Sequence, residues 1–154
     1  MRRVKGFTLI ELMVTLAVAG VLLGIVVSGF SSFLRSGTAD VEAASLINSF
    51  NYARSEAVRR KSNISVKPAA GGWKTGWNVL DSANTVLQTY SGISSSAAIA
   101  PSSAQTITFT PRGTLVDGST AVTFAYSWSG QCKLDRNISI SPMGRVTSER
   151  KTCP

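Results

Sequence analysis

The sequence predicts an α+β fold, in which a long N-terminal helix, membrane-spanning in its first half and amphipathic in its second, packs on a small antiparallel β-sheet domain. Three observations carry this. An apolar run fills residues 7–30 behind a basic start, apolar residues then recur at three- and four-residue spacing to about Ser62, and only short β-rich pieces follow. At 154 residues the chain has room for one membrane helix and one small domain. The part beyond the helix, roughly 90 residues, suffices for a modest core.

Residues 1–6 form a short leader with three cations, Arg2, Arg3 and Lys5, ending at Gly6. From Leu12 to Val27 the only polar side chain is Thr15, and residues 7–30 are long enough to cross a bilayer as a helix. The leader cations then stay on the cytoplasmic side. Glu11 is the acid inside this run, and a carboxylate there costs roughly 2.5–3.5 kcal/mol on insertion scales. It needs a partner, and the sequence offers none within the apolar segment, so one is expected on another chain or at a new N-terminus. Three plainer readings stay open on spacing alone. Ala17-Val18-Ala19 before Gly20 has the form of a signal-peptidase site, although Glu11 interrupts the apolar region and the run continues past the cut. The segment also reads as a plain anchor with Glu11 incidental, or as a buried core helix, which its length opposes.

Residues 31–62 continue the helix. Val41, Ala44, Ile47, Phe50, Ala53 and Ala57 form a packing stripe, with Asp40, Glu42, Asn51, Arg54, Ser55 and Arg59 on the other faces. Ser36-Gly37-Thr38 marks a candidate bend between the halves. Arg59, Arg60 and Lys61 suit the negative end of the helix dipole. A continuous helix from Phe7 to about Ser62 would be on the order of 80 Å long at 1.5 Å per residue. A small domain covers only part of that, so the rest is expected against lipid or other subunits.

Residues 63–154 read as the β-rich domain. Candidate strands are Ile64–Lys67, Trp77–Leu80, Val86–Tyr90, Thr106–Thr110, Val122–Tyr126 and Ile138–Ile140, with turns at Gly71-Gly72 and Asp117-Gly118. Ser91–Gln105, small and polar, reads as a mobile loop. Trp73, Trp77, Trp128, Phe109, Phe124 and Tyr126 are the candidate core, with a stacking platform for bases as the other use of such rings.

Enzyme chemistry finds little support. The chain has no histidine, hence no Ser-His or Cys-His couple, and its acids are scattered singly. Asp135 and Glu149 each lie beside a cation, Arg136 and Arg150, which reads as ion pairing. No phosphate-binding or dinucleotide fingerprint appears, and no cofactor is implied. The formal charge is +8, and the three leader cations account for part of it, leaving +5. Such a balance points either to an anionic surface or to a solvated charged face.

Gly6 to Leu23, GFTLIELMVTLAVAGVLL, resembles the class III leader and N-terminal helix of type IV pilins and type II secretion pseudopilins. The resemblance implies cleavage after Gly6 by prepilin peptidase, N-methylation of Phe7, and pairing of Glu11 with the N-terminal amine of an adjacent subunit. Leu46 to Val66, LINSFNYARSEAVRRKSNISV, and Ile140 to Val146, ISPMGRV, are similar to the GspH/FimT-like branch of minor pilins and pseudopilins. Many major pilins carry a proline inside the membrane helix, whereas the first proline here is Pro68. The implied protein is a minor pilin or pseudopilin of a type IV pilus or related filament, acting in assembly initiation or at the tip. It would sit in the bacterial inner membrane with its C-terminal domain periplasmic, then enter the pilus or pseudopilus. Its implied partners are prepilin peptidase and other pilin or pseudopilin subunits. A type II secretion pseudopilin of the H type is one alternative.

In a chain whose soluble part leaves the cytoplasm, Cys132 and Cys153 read as one disulfide closing a C-terminal loop. A metal pair fits poorly, since there is no histidine and no C-x-x-C spacing. Lys133, Arg136, Arg145, Arg150 and Lys151 fall within or beside that loop, where they could grip phosphates. DNA uptake is therefore the second alternative. Some members of the resembling branch bind DNA through a Gly-Arg-x-Arg pattern, but here Gly144-Arg145-Val146 is followed by Thr147.

Overall fold

The computed structural model describes residues 7–102, 106–116 and 120–153, without the side chains of 25–29. It divides into two compact units, Met1–Thr38 and Ala39–Pro154. The helix α1 runs from Leu9 to Arg60 and contributes to both. Ser36, Gly37 and Thr38 lie inside it as helical residues.

The first unit begins with a capping box. Thr8 is the N-cap: its hydroxyl accepts the Glu11 N–H at 3.3 Å, and the Glu11 carboxylate accepts the Thr8 N–H at 2.8 Å. Three apolar residues beyond it, Leu9, Ile10 and Leu12, are among many on this unit that are exposed. Among the described residues no helix is long and apolar enough to cross a membrane. The expected 7–30 span includes positions 25–29, whose side chains lie outside the described residues, and a span needs about 20 residues.

In the second unit α1 buries Ala39, Ala43, Leu46, Phe50, Ala53 and Ala57. This corrects the expected stripe in its first half, because Val41 is 69% exposed and Ala44 is exposed as well. Both phases carry apolar residues at helical spacing, so periodicity alone does not choose between them. The sheets choose, by taking Leu46 and Ala43 into their aromatic core. The helix ends as Lys61 turns into the left-handed region, φ 53°, and the Ser62 N–H donates to the Ala57 carbonyl at 3.3 Å.

Among the described residues eight strands follow: β1 Ile64–Ala69, β2 Gly72–Leu80, β3 Val86–Ser91, β4 Ala97–Pro101, β5 Ile107–Phe109, β6 Val122–Trp128, β7 Arg136–Ile140 and β8 Val146–Arg150. They form two antiparallel sheets, ordered β3-β2-β1-β5 and β4-β6-β7-β8, where the sequence suggested one. Two strands were not anticipated. β4 lies inside the stretch expected to be a mobile loop, and pairs along β6 from Ala97 opposite Trp128 to Pro101 opposite Phe124. β8 pairs along β7. A backbone ladder needs no side-chain alternation, which is why small or polar strands escape a pattern reading. The expected turn at Asp117-Gly118 lies outside the described residues, as does the end of the 91–105 stretch.

Aromatic rings join the helix to both sheets. The Phe50 ring lies 5.0 Å from Phe124 of β6 and 6.2 Å from Trp73 of β2, and Trp73 meets Phe124 edge-on at 4.9 Å. All six aromatics expected in the core are buried. That corrects the base-stacking alternative, since a buried ring offers a nucleobase no face.

Candidate functional site

On the first unit, Phe7 is 82% exposed and Glu11 sits on the helix beside it. A shallow groove of about 320 Å³ is lined by Phe7, Ile10, Glu11, Val14 and Thr15. Gly6, the expected cleavage position, lies outside the described residues. Glu11 does have a partner in its own segment, contrary to expectation: its Oε2 accepts from both the Thr8 N–H and, at 3.0 Å, the Thr8 hydroxyl. The spacing Thr-x-x-Glu ahead of an apolar run is a readable capping signal. The carboxylate thus has a local hydrogen-bond set, yet no cation neutralises it among the described residues.

On the second unit, polar residues of α1 hold the sheets. Glu42 accepts from the Ser94 N–H at 2.8 Å and its hydroxyl, and from the Tyr126 hydroxyl at 2.8 Å. Burial, then the bond to Glu42, raises the Tyr126 phenol above its ordinary range, so it stays a donor. Arg54 donates through Nε to the Gly113 carbonyl at 2.9 Å and through Nη2 to the Met143 carbonyl at 3.2 Å. Asp40 pairs with Arg136 of β7. Periodicity placed all of these on outer faces, and only the sheets reveal their partners.

The structure joins Cys132 to Cys153, with Cα atoms 5.8 Å apart. It does not gather the five C-terminal cations into one cluster. Lys133, Arg150 and Lys151 are exposed near the disulfide, and Arg136 faces Arg150 across the β7–β8 ladder. Arg136 is taken up by Asp40, and burial, then the charge of Arg150, lowers its pKa. Arg145 precedes β8 and Arg150 ends it, so they stand about 17 Å apart along the strand at roughly 3.3 Å per residue. The pairing expected from Asp135 beside Arg136 is corrected too: Asp135 Oδ1 accepts the Trp128 N–H at 2.8 Å, because the loop needs that backbone donor satisfied. Among the described residues no three His, Cys, Asp or Glu side chains are grouped to hold a metal ion.

Comparison with known proteins places these features. Residues 42–144 match the family described as Type II transport protein GspH, and residues 1–27 match the prokaryotic N-terminal methylation motif. The chain is similar to the type IV minor pilin FimU of Pseudomonas aeruginosa, at 29% identity over 76% of this chain and 92% of that one, with a TM-score of 0.66. A second crystal form of FimU gives 30% identity, 71% and 91% coverage, and 0.62. The minor pseudopilin EpsH from the Type 2 Secretion System of Vibrio cholerae shares the fold, at 11% identity, 73% and 97% coverage, and 0.56. Among curated protein sequences none matches significantly.

Proposed function

This chain belongs to the GspH family and is a minor pilin or pseudopilin, and from that premise we propose that it is built into a type IV pilus, at or near the tip. The observation that carries the reading is the apolar surface of the first unit. Exposed apolar side chains from Phe7 to Leu23 and from Phe30 to Leu34 need covering by lipid before assembly and by other subunits after it. Pilus rather than secretion system is favoured by the FimU similarity, which reaches the level of sequence, whereas that to EpsH is one of fold alone.

The mechanism is assembly. The chain is held in the inner membrane by residues 7–30, prepilin peptidase removes residues 1–6, and Phe7 becomes the methylated N-terminus. Glu11 exchanges its local bonds to Thr8 for the amine of a neighbouring subunit. A pairing of full charges in a low-dielectric core outweighs two hydrogen bonds to neutral donors, so the exchange sets the axial register. Intact-mass analysis of protein from cells with prepilin peptidase should show residues 1–6 absent and one methyl group on Phe7. A chain starting at Gly20 would overturn the reading. Glu11→Ala protein should insert normally but fall at least tenfold in sheared filaments; wild-type incorporation would refute the pairing.

A further inference from the structure

Two turns of the second unit repeat one pattern, Thr-Pro-Arg-Gly-Thr at 110–114 and Ser-Pro-Met-Gly-Arg at 141–145, with proline second and glycine fourth as such turns favour. Both are fixed through their backbones. The Gly113 N–H donates to the Thr110 carbonyl and the Gly144 N–H to the Ser141 carbonyl, each at 2.8 Å, and the Leu115 N–H ties the two together by donating to the Pro142 carbonyl at 3.0 Å. Arg54 of α1 holds one carbonyl of each turn, those of Gly113 and Met143.

On this rigid backbone the exposed side chains are apolar or cationic. Met143 is 71% exposed, and Pro111 is exposed on the other turn. Val58, one helical turn beyond Arg54, is 50% exposed and borders the first turn, since a Cβ on Gly113 would lie 3.2 Å from its Cγ2. Arg112 and Arg145 are exposed, and among the described residues neither guanidinium has a hydrogen bond or an ion pair. Neither turn contains an acid, and Glu56 on the adjoining helix is buried and engaged by Arg59 and Arg60. Methionine and arginine are enriched where proteins meet, and a prefixed backbone lowers the ordering cost of binding.

We propose that the face made by these two turns and Val58 docks an acidic surface of another protein, whose carboxylates pair with Arg112 and Arg145 while an apolar side chain covers Met143 and Val58. Unopposed cations select carboxylates, and arginine takes them in two-pronged pairs. Phosphates would suit the cations alone and leave the apolar side chains uncovered, which favours a protein over a nucleic acid. A second copy of this chain suits the face poorly, because the formal charge is +8 and Asp40, Glu42, Glu56, Asp81 and Asp135 are already engaged within the chain. The inference goes beyond the filament reading and does not depend on where in a filament the chain sits.

The test places an apolar photo-crosslinking residue in place of Met143 in the full chain, in cells that make it. The expected adduct maps to an Asp- or Glu-bearing segment of another protein. It should fall at least tenfold when Arg112→Glu and Arg145→Glu are combined, and return when the mapped carboxylates are changed to lysine, which also shows that the reversed chain is folded. An adduct with a second copy, a nuclease-sensitive adduct, no adduct, an adduct that the reversal leaves intact, or a reversal that lysine does not rescue overturns the proposal. Recovery of the wild-type chain in sheared filaments tests the filament reading separately, and neither result decides the other.

Discussion

Gly113 and Gly144 occupy two turns that press together beneath Arg54. Both have left-handed backbones, φ 77° and 74°, and a Cβ on Gly144 would sit 2.0 Å from the Gly113 carbonyl oxygen. Gly130 shares the left-handed backbone, φ 71°, but a Cβ there meets nothing within 4 Å. The pair separates backbone strain from steric contact. Gly130→Ala should cost about 1–2 kcal/mol from the backbone alone. Gly144→Ala should cost about 2–5 kcal/mol, because overpacking is added. Urea denaturation of the two purified variants checks this, and equal costs would mean that the turns yield freely. Gly144 stands out in the sequence within ISPMGRV. Its neighbour across the gap does not, because Gly113 is 31 residues away along the chain.

At the scale of elements, the end of α1 is tuned by one buried acid. Glu56 accepts from Arg59 at 2.9 and 2.6 Å and from Arg60 at 2.6 Å. The hydrogen bonds from Arg59, then Arg60, pull its pKa from 4.5 down to about 2. The unfolded carboxylate takes a proton first as pH falls, so this contribution is complete above pH 4.5 and is lost as pH drops through about 2. Glu56→Gln should therefore lower the melting temperature at neutral pH and flatten its decline below about pH 4.5, as a thermal-melt series from pH 6 to 2 would show. A wild-type acid limb in Glu56→Gln would refute the assignment. These pairs are legible as helical spacings of three and four. The burial of Glu56, which makes them count, is not, because spacing along a helix does not say which of its faces the rest of the fold covers.

At the scale of the whole molecule, the disulfide ties Cys153 back to the short 3-10 helix Cys132–Leu134, next to which the Lys151 N–H also donates to the Asp135 carbonyl at 3.0 Å. The bridged residues are 21 positions apart, a loop whose closure stabilises by about 3 kcal/mol on chain-entropy arguments. Replacing both cysteines with serine should lower stability by about that amount, measured by urea denaturation under oxidising conditions. Under reducing conditions wild type and variant should converge. An unchanged midpoint would mean that the β7–β8 ladder holds the segment unaided.

The sequence by itself determined what depends on neighbours along the chain. The apolar run with Glu11, the helix to about residue 60, six of the eight described strands and the aromatic core are all written in local periodicity and composition. Only the tertiary structure decided the rest. It chose Ala43 and Leu46 over Val41 and Ala44 as the buried face, because two phases of one helix are equally apolar until a sheet packs against one of them. It recruited AAIAP and VTSER as strands through backbone ladders that ask little of side chains. It split the C-terminal cations along β8 and committed Arg136 to Asp40.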